Sequence, residues 1–247
     1  MKSPSLVARS ILICAVAAVA LRAAGDPAPA PSDSGTSAIP VTIPAAGVRE
    51  TLWNGKDLTG WTPFFKGGIA APADFWSATD GVLHLAGTPK GYLRTDKSYG
   101  SYHLHAEWRW VGKPPKGTNN SGIFVMQHAP DVVWPYSVQV QVKAGSCGDF
   151  ISQGGLLFPA GNPNPTMKKM EADSEKPMGE WNSYEIYSIG NTLTVVVNGV
   201  RQNFVSNLPT DQGQIALQIE GYPIEFRNLW LEQATTGLPS PIPSPQP

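Results

Sequence analysis

Short segments in which apolar and polar residues alternate, separated by glycine and proline, constrain the fold of this chain most. The 247 residues include 25 glycines and 24 prolines. Alternation with a period of two places one face of a strand against a core and the other towards solvent. Besides the segment described next, the predicted strands cover residues 102–111, 123–127, 137–143, 181–189 and 192–197.

Residues 213–233 give the clearest strand signal, in two short segments joined by a tight turn. Apolar residues at 215, 217 and 219 alternate with Ala216, Gln218 and Glu220, and residues 221–223 interrupt the pattern before it resumes. The pair Asn198-Gly199 predicts a β-hairpin because both residues tolerate positive φ. Only residues 166–176 could form a helix, and a short one. Two antiparallel sheets packed face to face are the natural arrangement for such a chain.

Composition divides the chain into one folded domain with flanking segments. Residues 1–25 have basic residues before a short apolar run that ends in small residues, the pattern of a secretory signal peptide. Residues 26–46 and 235–247 are rich in proline and predict a disordered linker and tail. The folded domain is then 47–234, with Cys147 as its single cysteine, so we expect a core without an internal disulfide.

Charge excludes one class of partner. The formal net charge is -1 and the sequence has no basic run, so we expect no nucleic acid partner. No segment after residue 25 is apolar for long enough to cross a membrane, so we expect no membrane span.

Residues 102–111 predict a strand with an unusually polar outer face. Four side chains share that face at a spacing of two: His103, His105, Glu107 and Arg109. A His-x-His pair on a strand points two imidazoles the same way, as a divalent metal site requires. The alternative is a solvated face with a Glu107–Arg109 ion pair. Since the chain has no second cluster with ligand spacing, we expect no metal or other cofactor.

Two other segments add polar side chains with the same alternation. Gln139 and Gln141 lie on one face of residues 137–143, and Gln218 and Glu220 on one face of the strand in 213–233. Together with residues 102–111, these segments favour a concave polar face that binds a ligand.

Some residues have both a structural and a binding interpretation. Trp134 lies between Val133 and Pro135 in a predicted loop, where it could stack on a sugar ring. Asp149, among glycines, either caps backbone amides or enters the site. Three more tryptophans could stack on a sugar but are more often core residues: Trp53, Trp61 and Trp76.

Seven phrases in one order resemble the 3-keto-disaccharide hydrolase domain, also described as 3-keto-glucoside 1,2-lyase and 3-keto-2-hydroxy-glucal hydratase. They are LWNGKDLTGW (52–61), AEWRW (106–110), NNSGIF (119–124), WPYSVQVQ (134–141), GEWNSYEI (179–186), VNGV (197–200) and LQIEGYPIEFRNLWL (217–231). The resemblance implies an all-β fold, a concanavalin A-like lectin/glucanase β-sandwich (jelly roll) of two antiparallel sheets.

The same resemblance implies chemistry on 3-keto sugars. A ketone on the ring acidifies the neighbouring C–H, so a base can form an enolate that expels the aglycone, and water can then add. The paired carboxylates of ordinary glycosidases are not obligatory for this route. The expected catalytic groups are Glu107, Arg109 and Glu220. The expected substrate-binding groups are Asn120, Trp134, Gln139, Gln141, Asp149 and Gln218.

One position departs from the resemblance. The family commonly reads SIEVQ where this chain reads SVQVQ, so Gln139 stands at the position of a glutamate. An amide cannot act as a general base. The sequence therefore leaves two main functions open: an exported enzyme acting on 3-keto-glycosides, or a non-catalytic carbohydrate-binding module on the same scaffold. A structural sandwich of the cell envelope is a third.

We expect the chain to be secreted or periplasmic, with residues 1–25 removed on export. N-terminal sequencing of the exported protein should give a chain beginning at Asp26, or at Leu21 if cleavage follows Ala20. A mature protein that retains Met1 would contradict this prediction.

Overall fold

A computed structural model describes residues 42–43, 47–112, 119–159, 165–234 and 240–241. The predicted signal peptide, and most of the predicted linker and tail, lie outside the described residues. The described chain forms seventeen strands and a 3₁₀ turn at Lys66–Gly68. The strands are β1 Thr42–Ile43, β2 Arg49–Thr51, β3 Trp61–Phe65, β4 Trp76–Thr79, β5 Val82–Leu85, β6 Gly91–Thr95, β7 Tyr102–Trp110, β8 Gly122–Gln127, β9 Ser137–Gln141, β10 Phe150–Gln153, β11 Thr166–Met167, β12 Asn182–Ile189, β13 Thr192–Val197, β14 Val200–Val205, β15 Gln214–Ile219, β16 Ile224–Gln233 and β17 Ser240–Pro241.

Fifteen of these strands form two antiparallel sheets, as the sequence predicts. A seven-stranded sheet has the order β11-β10-β9-β8-β15-β6-β3, and an eight-stranded sheet has the order β14-β13-β12-β7-β16-β5-β4, with β2 also paired to β16. The predicted all-β sandwich is therefore confirmed. β1 and β17 form a separate two-stranded pair.

The core lies between the two sheets and is built from alternate residues of their strands. In β7, Leu104, Ala106 and Trp108 are fully buried, whereas His105 and Glu107 between them are only partly buried. Trp53 and Trp61 belong to the same core and Trp76 packs against it, so all three have the core role rather than a free stacking face. The face of each sheet turned away from this core is called its outer face below.

The predicted hairpin at Asn198-Gly199 is confirmed. Val197 pairs with Val200 across it, and the two turn residues have φ values of 50° and 84°. Positive φ at both positions is the conformation that a two-residue hairpin turn requires.

The two strands within residues 213–233 do not pair with each other. β15 lies in the seven-stranded sheet and β16 in the eight-stranded sheet, so the turn between them carries the chain across the core. Gly87 supports this crossover: its carbonyl accepts a hydrogen bond from the Gly221 amide (2.7 Å), and an added Cβ would lie 2.4 Å from the Tyr222 carbonyl carbon. Only glycine allows so close a backbone approach at its φ of 81°.

The possible helix at residues 166–176 is not formed. Thr166–Met167 is instead a short strand paired with β10, and the following residues are irregular. Within the residues that the structure describes, no helix is long and apolar enough to cross a membrane.

Cys147 is the single cysteine within the described ranges. It is buried in the core, and burial raises the pKa of its thiol well above the ordinary range. The thiol is therefore an apolar core group with little nucleophilic character.

A histidine–glutamate–histidine cluster joins β7 to β12 on the outer face of the eight-stranded sheet. Glu185 lies opposite His105 in the strand register, and its two oxygens each lie 2.7 Å from an imidazole nitrogen, Nε2 of His103 and Nδ1 of His105. Burial acts to lower the pKa of His105, but the hydrogen bond and charge of Glu185, together with Glu107, outweigh burial and raise this pKa. Burial likewise acts to raise the pKa of Glu185, but the two histidines outweigh it and lower this pKa.

We expect Glu185→Gln to destabilise the protein most at mildly acid pH. The raised His105 pKa contributes stability below 6.5 that is lost as pH rises through the higher folded value. The lowered Glu185 pKa contributes stability above 4.5 that is lost as pH falls through the lower folded value. Both contributions are present between pH 4.5 and 6.5, where the loss in free energy of unfolding should be about 1–3 kcal/mol.

Urea unfolding across the pH range measures this effect. Glu50→Gln is the matched control, because the partner of Glu50 is Lys97 (2.7 Å) rather than a histidine. A loss for Glu185→Gln that is the same at mildly acid and alkaline pH would contradict the role of the two histidines.

Candidate functional site

The predicted site residues lie on two different outer faces. The seven-stranded sheet contains β9 and β15, with Gln139, Gln141, Gln218 and Glu220 on or directly after these strands; the eight-stranded sheet contains β7, with Glu107 and Arg109. The alternate residues of all three strands pack in the core, so each polar side chain points away from it. The expectation that the three strands contribute to one polar face is therefore wrong, because period-two alternation does not determine which sheet a strand joins.

A chain of glutamine side chains crosses the outer face of the seven-stranded sheet. Gln153 Nε2 donates to Gln139 Oε1 (2.7 Å), and Gln139 Nε2 donates to Gln141 Oε1 (2.9 Å) and Gln218 Oε1 (3.1 Å). Gln139, Gln141 and Gln218 are buried. Buried amides need their hydrogen-bond partners, so this amide chain holds its members in one orientation.

Glu220 ends the amide chain. Its Oε2 accepts a hydrogen bond from Gln218 Nε2 (2.7 Å), and its Oε1 lies 2.6 Å from the ammonium of Lys90. The Glu220 side chain is 15% exposed and that of Lys90 is 49% exposed, so the pair lies at the boundary between the sheet and solvent. A carboxylate and an ammonium group together form an acid/base pair accessible to a ligand.

Asn120 lies beside Glu220. Its backbone forms isolated β-bridges with Glu220 and Gly221. The Asn120 Oδ1 atom is buried and has no hydrogen-bond partner among the described residues. A buried oxygen without a partner is costly, and a ligand hydroxyl could satisfy it.

Aromatic and ionic side chains border the amide chain. Tyr92 lies opposite Gln218 in the register and packs edge-on against Phe124 at a centroid distance of 5.8 Å. The Tyr92 hydroxyl donates to Asp131 Oδ1 (2.9 Å), which also pairs with Arg94 (3.0 Å). Burial and the Asp131 carboxylate raise the pKa of the Tyr92 phenol, so this group stays protonated. These contacts attach the loop containing Asp131 to the sheet.

Trp134, in that loop, is exposed as a stacking residue would be. The Lys90 ammonium lies 5.9 Å from the centroid of the Trp134 ring. The tryptophan is 42% exposed. The structure therefore places Trp134 close to the Glu220–Lys90 pair.

Gly122 leaves the space that Gln139 occupies. A Cβ at Gly122 would lie 2.7 Å from both Cγ and Nε2 of Gln139. The position of the central amide thus depends on a glycine in the neighbouring strand.

Asp149 has the capping role. One carboxylate oxygen accepts from the Lys169 amide (2.9 Å) and the other pairs with the Lys168 ammonium (2.8 Å). The carboxylate is 3% exposed, so it anchors the segment after β11 and offers little to a ligand.

Glu107 and Arg109 form ion pairs on the opposite side of the core. Glu107 accepts from Arg227 Nε (2.6 Å) and Asn228 Nδ2 (2.8 Å), and Arg109 pairs with Glu225. Burial acts to raise the pKa of Glu107, but the hydrogen bonds from Asn228 and Arg227 outweigh it and lower this pKa. Neither side chain can join Glu220 in one site.

The His-x-His pattern does not form a metal site in the described part of the chain, where no group of three or more His, Cys, Asp or Glu side chains has an arrangement that could hold a metal ion. His103 and His105 contact Glu185 instead.

Sequence reasoning missed Lys90 and Gln153. Lys90 follows Pro89 in a turn before β6, and Gln153 ends β10 before two glycines. Neither residue belongs to a long segment of alternating apolar and polar residues, which is the pattern that identifies a strand face. The signal that could have found them is a polar residue next to turn-forming residues, Pro89 before Lys90 and Gly154-Gly155 after Gln153.

Solved structures resemble this fold at low sequence identity. A Parabacteroides distasonis protein provisionally assigned as a glycosyl hydrolase is 21% identical with a TM-score of 0.57, covering 76% of this chain and 94% of that chain. The Bacillus licheniformis β-glucanase is 13% identical with a TM-score of 0.54, covering 77% and 99%. The carbohydrate binding module CBM66 from Bacillus subtilis is 13% identical with a TM-score of 0.51, covering 72% and 98%. These likenesses establish the concanavalin A-like fold.

No curated protein matches the sequence. The sequence profile of the 3-keto-alpha-glucoside-1,2-lyase-like domain matches residues 49–232, from β2 to the end of β16. This match covers nearly the whole folded region, including both outer faces. The chain therefore belongs to the 3-keto-alpha-glucoside-1,2-lyase-like domain family.

Proposed function

We propose that this carbohydrate-active protein is an exported enzyme that cleaves or hydrates 3-keto-glycosides on the outer face of the seven-stranded sheet. The family supports the substrate class. The observation that carries the proposal is the position of Glu220, which ends a buried amide chain and contacts Lys90. Export rests on the signal-peptide pattern of residues 1–25.

The proposed reaction begins with removal of the proton on the carbon next to the ketone. The electron pair of that C–H bond forms an enolate, which collapses to expel the aglycone oxygen. The leaving oxygen takes up a proton. Addition of water across the resulting double bond then gives the free 3-keto sugar. The site must therefore supply a base, a positive charge near the enolate oxygen and a proton source.

Glu220 is the proposed base. Its carboxylate is only partly exposed, and Gln218 and Lys90 fix both oxygens. Lys90 can turn from Glu220 to the enolate oxygen as charge develops there, because its long side chain is half exposed. The protonated Glu220 can then return its proton to the leaving oxygen.

The amides and Trp134 are the proposed binding groups. Gln141 and Gln218 present amide groups on the same face, and the unpartnered Asn120 Oδ1 can accept from a sugar hydroxyl. The exposed Trp134 offers a ring on which a sugar can stack. Glu107, Arg109 and Asp149 have no part in this site, because their partners engage them elsewhere.

A non-catalytic carbohydrate-binding module is the second candidate. Gln139 favours it, because an amide stands at the centre of the face where the family commonly has a glutamate. Its carbonyl and amino groups are both engaged by neighbouring amides. The two candidates differ in whether a 3-keto-glycoside is turned over or only bound.

Glu220→Gln should lower kcat/KM for a 3-keto-glucoside by about 10²–10⁴-fold, the usual contribution of a general base. Release of the aglycone measures turnover, and Glu50→Gln, on β2, serves as the control. Undiminished turnover by Glu220→Gln would refute its role as the base. Binding of the 3-keto-glucoside by the natural protein without any turnover would instead support the binding module.

Gln139→Glu should lower turnover, although it restores the residue that the family commonly has. A carboxylate at 139 can no longer donate to Gln141 and Gln218, so Gln218 must turn and lose its hydrogen bond to Glu220. Kinetics of aglycone release across pH test this. A clear gain of turnover would contradict Glu220 as the base and indicate a weakened site that lacks its carboxylate at 139.

A further inference from the structure

A cleft of about 590 Å³ opens on the outer face of the eight-stranded sheet. Arg49 of β2 and Asn54 of the following turn form one wall, and His105, Glu107 and Asn228 form the other. Its volume lies within the range of about 300–1,000 Å³ found for small-molecule sites. The proposed reaction does not use this cleft, which lies across the core from Glu220.

A β-bulge builds the floor of the cleft. The register of β16 against β7 shifts between Arg227 and Trp230, and Asn228 adopts a positive φ of 50°. The Leu229 carbonyl accepts from the Leu52 amide (2.9 Å), which fixes the opposite wall. Bulges with such backbone conformations are common beside functional sites, since they redirect a side chain.

The bulge directs the Asn228 amide onto Glu107. Asn228 Nδ2 donates to Glu107 Oε1 (2.8 Å), and Arg227 Nε donates to Oε2 (2.6 Å). The carboxylate is thus held in one orientation, and Glu107 lines the cleft.

The imidazole of His105 is also held in one orientation, in this case by Glu185. Glu185 can only accept a hydrogen bond, so the Nδ1 atom of His105, 2.7 Å away, must carry a proton. In the neutral imidazole, Nε2 is then an acceptor. It lies 3.7 Å from Glu107 Oε1, too far for a direct hydrogen bond. Two oriented acceptors, His105 Nε2 and Glu107 Oε1, therefore lie 3.7 Å apart, and two neighbouring ligand hydroxyls can each donate a hydrogen bond to one of them.

The charges of the cleft are already compensated. Arg49 pairs with Glu232 (2.7 Å), Glu107 with Arg227 and His105 with Glu185. A charged ligand would have to displace one of these partners. The cleft therefore favours a neutral ligand.

Among the described residues that line the cleft, none offers a free aromatic face. Trp230 lies between β2 and β7, with the Arg49 guanidinium 3.7 Å from its ring centroid and the His105 ring stacked at 4.9 Å. Trp53 is buried. The cleft therefore offers hydrogen-bonding groups but little apolar surface, and a neutral ligand that suits such a lining is a polyhydroxylated one.

We propose that this cleft is a second binding site, for a neutral sugar whose hydroxyls contact Glu107 and His105 Nε2. It is separate from the outer face of the seven-stranded sheet and does not depend on the chemistry proposed there. A protein with both sites can bind a glycan on the outer face of the eight-stranded sheet while the outer face of the seven-stranded sheet binds or turns over its own substrate.

The test follows the Trp230 indole N–H by NMR during titration of the full domain. The neutral probes are glucose, cellobiose, sucrose and trehalose, and the charged probes are glucuronate and glucosamine. Trp230→Phe assigns the signal. At least one neutral sugar should shift it saturably, more tightly than either charged probe.

Glu107→Gln should weaken this binding about tenfold or more, the effect of losing a charge-assisted hydrogen bond. Glu50→Gln and Glu220→Gln should leave the Trp230 titration unchanged. Asn228→Gly is the second variant if Glu107→Gln fails to fold, because glycine tolerates the left-handed backbone while removing the amide that orients Glu107. It should also weaken binding.

Three results would overturn the proposal. One is a Trp230 signal that no neutral sugar shifts at tens of millimolar. Another is tighter binding of glucuronate or glucosamine than of the neutral sugars. The third is binding that Glu107→Gln or Asn228→Gly leaves intact. Loss of turnover in Glu220→Gln with the Trp230 titration preserved would separate this site from the proposed active site.

Discussion

The Glu220 carboxylate determines the geometry of the amide face because it can accept hydrogen bonds but cannot donate them. Gln218 must therefore turn its amino group towards Glu220 and its carbonyl towards Gln139. Gln139 must then donate from its own amino group and accept from Gln153. One charged group thus fixes the direction of three amides, the buried ones of Gln218 and Gln139 and the partly buried one of Gln153. A ligand meets donors and acceptors at defined places rather than a set of freely rotating side chains.

The sequence was sufficient for the strands and their buried faces, but insufficient for their sheet membership. Alternation identified β7, β9 and β15 because a strand with one face in the core must repeat with a period of two. The Asn198-Gly199 turn was predictable because its backbone conformation is a local property. By contrast, β15 and β16 follow each other closely yet lie in different sheets, and only long-range pairing decides this. For that reason Glu107 and Glu220 appeared to share a face that they do not share. Lys90 escaped notice because a turn lysine has no local pattern, and its contact with Glu220 spans 130 residues.

The two outer faces use opposite ways of stabilising polar groups on a sheet. On the seven-stranded sheet, neutral amides satisfy one another and leave one carboxylate and one ammonium at the end. On the eight-stranded sheet, ion pairs such as Arg227–Glu107 and Arg109–Glu225 cross between strands, and Trp181 lies within 4.5 Å of both guanidinium groups. An amide network is insensitive to pH and salt, whereas ion pairs with histidines respond to both. The two faces should therefore respond differently to changes in pH and in salt concentration.

The pairing of β2 with β16 has a consequence for biosynthesis. Thr51, near the start of the folded region, pairs with Trp230, near its end, and β16 also separates β5 from β7 within the sheet. The central part of the eight-stranded sheet is thus incomplete until the ribosome has made almost the whole domain. A fold with such high contact order closes slowly and late. Until β16 has been made, the partly synthesised chain cannot complete its native sheet, and a polypeptide that has not yet folded is one that can pass through a narrow channel.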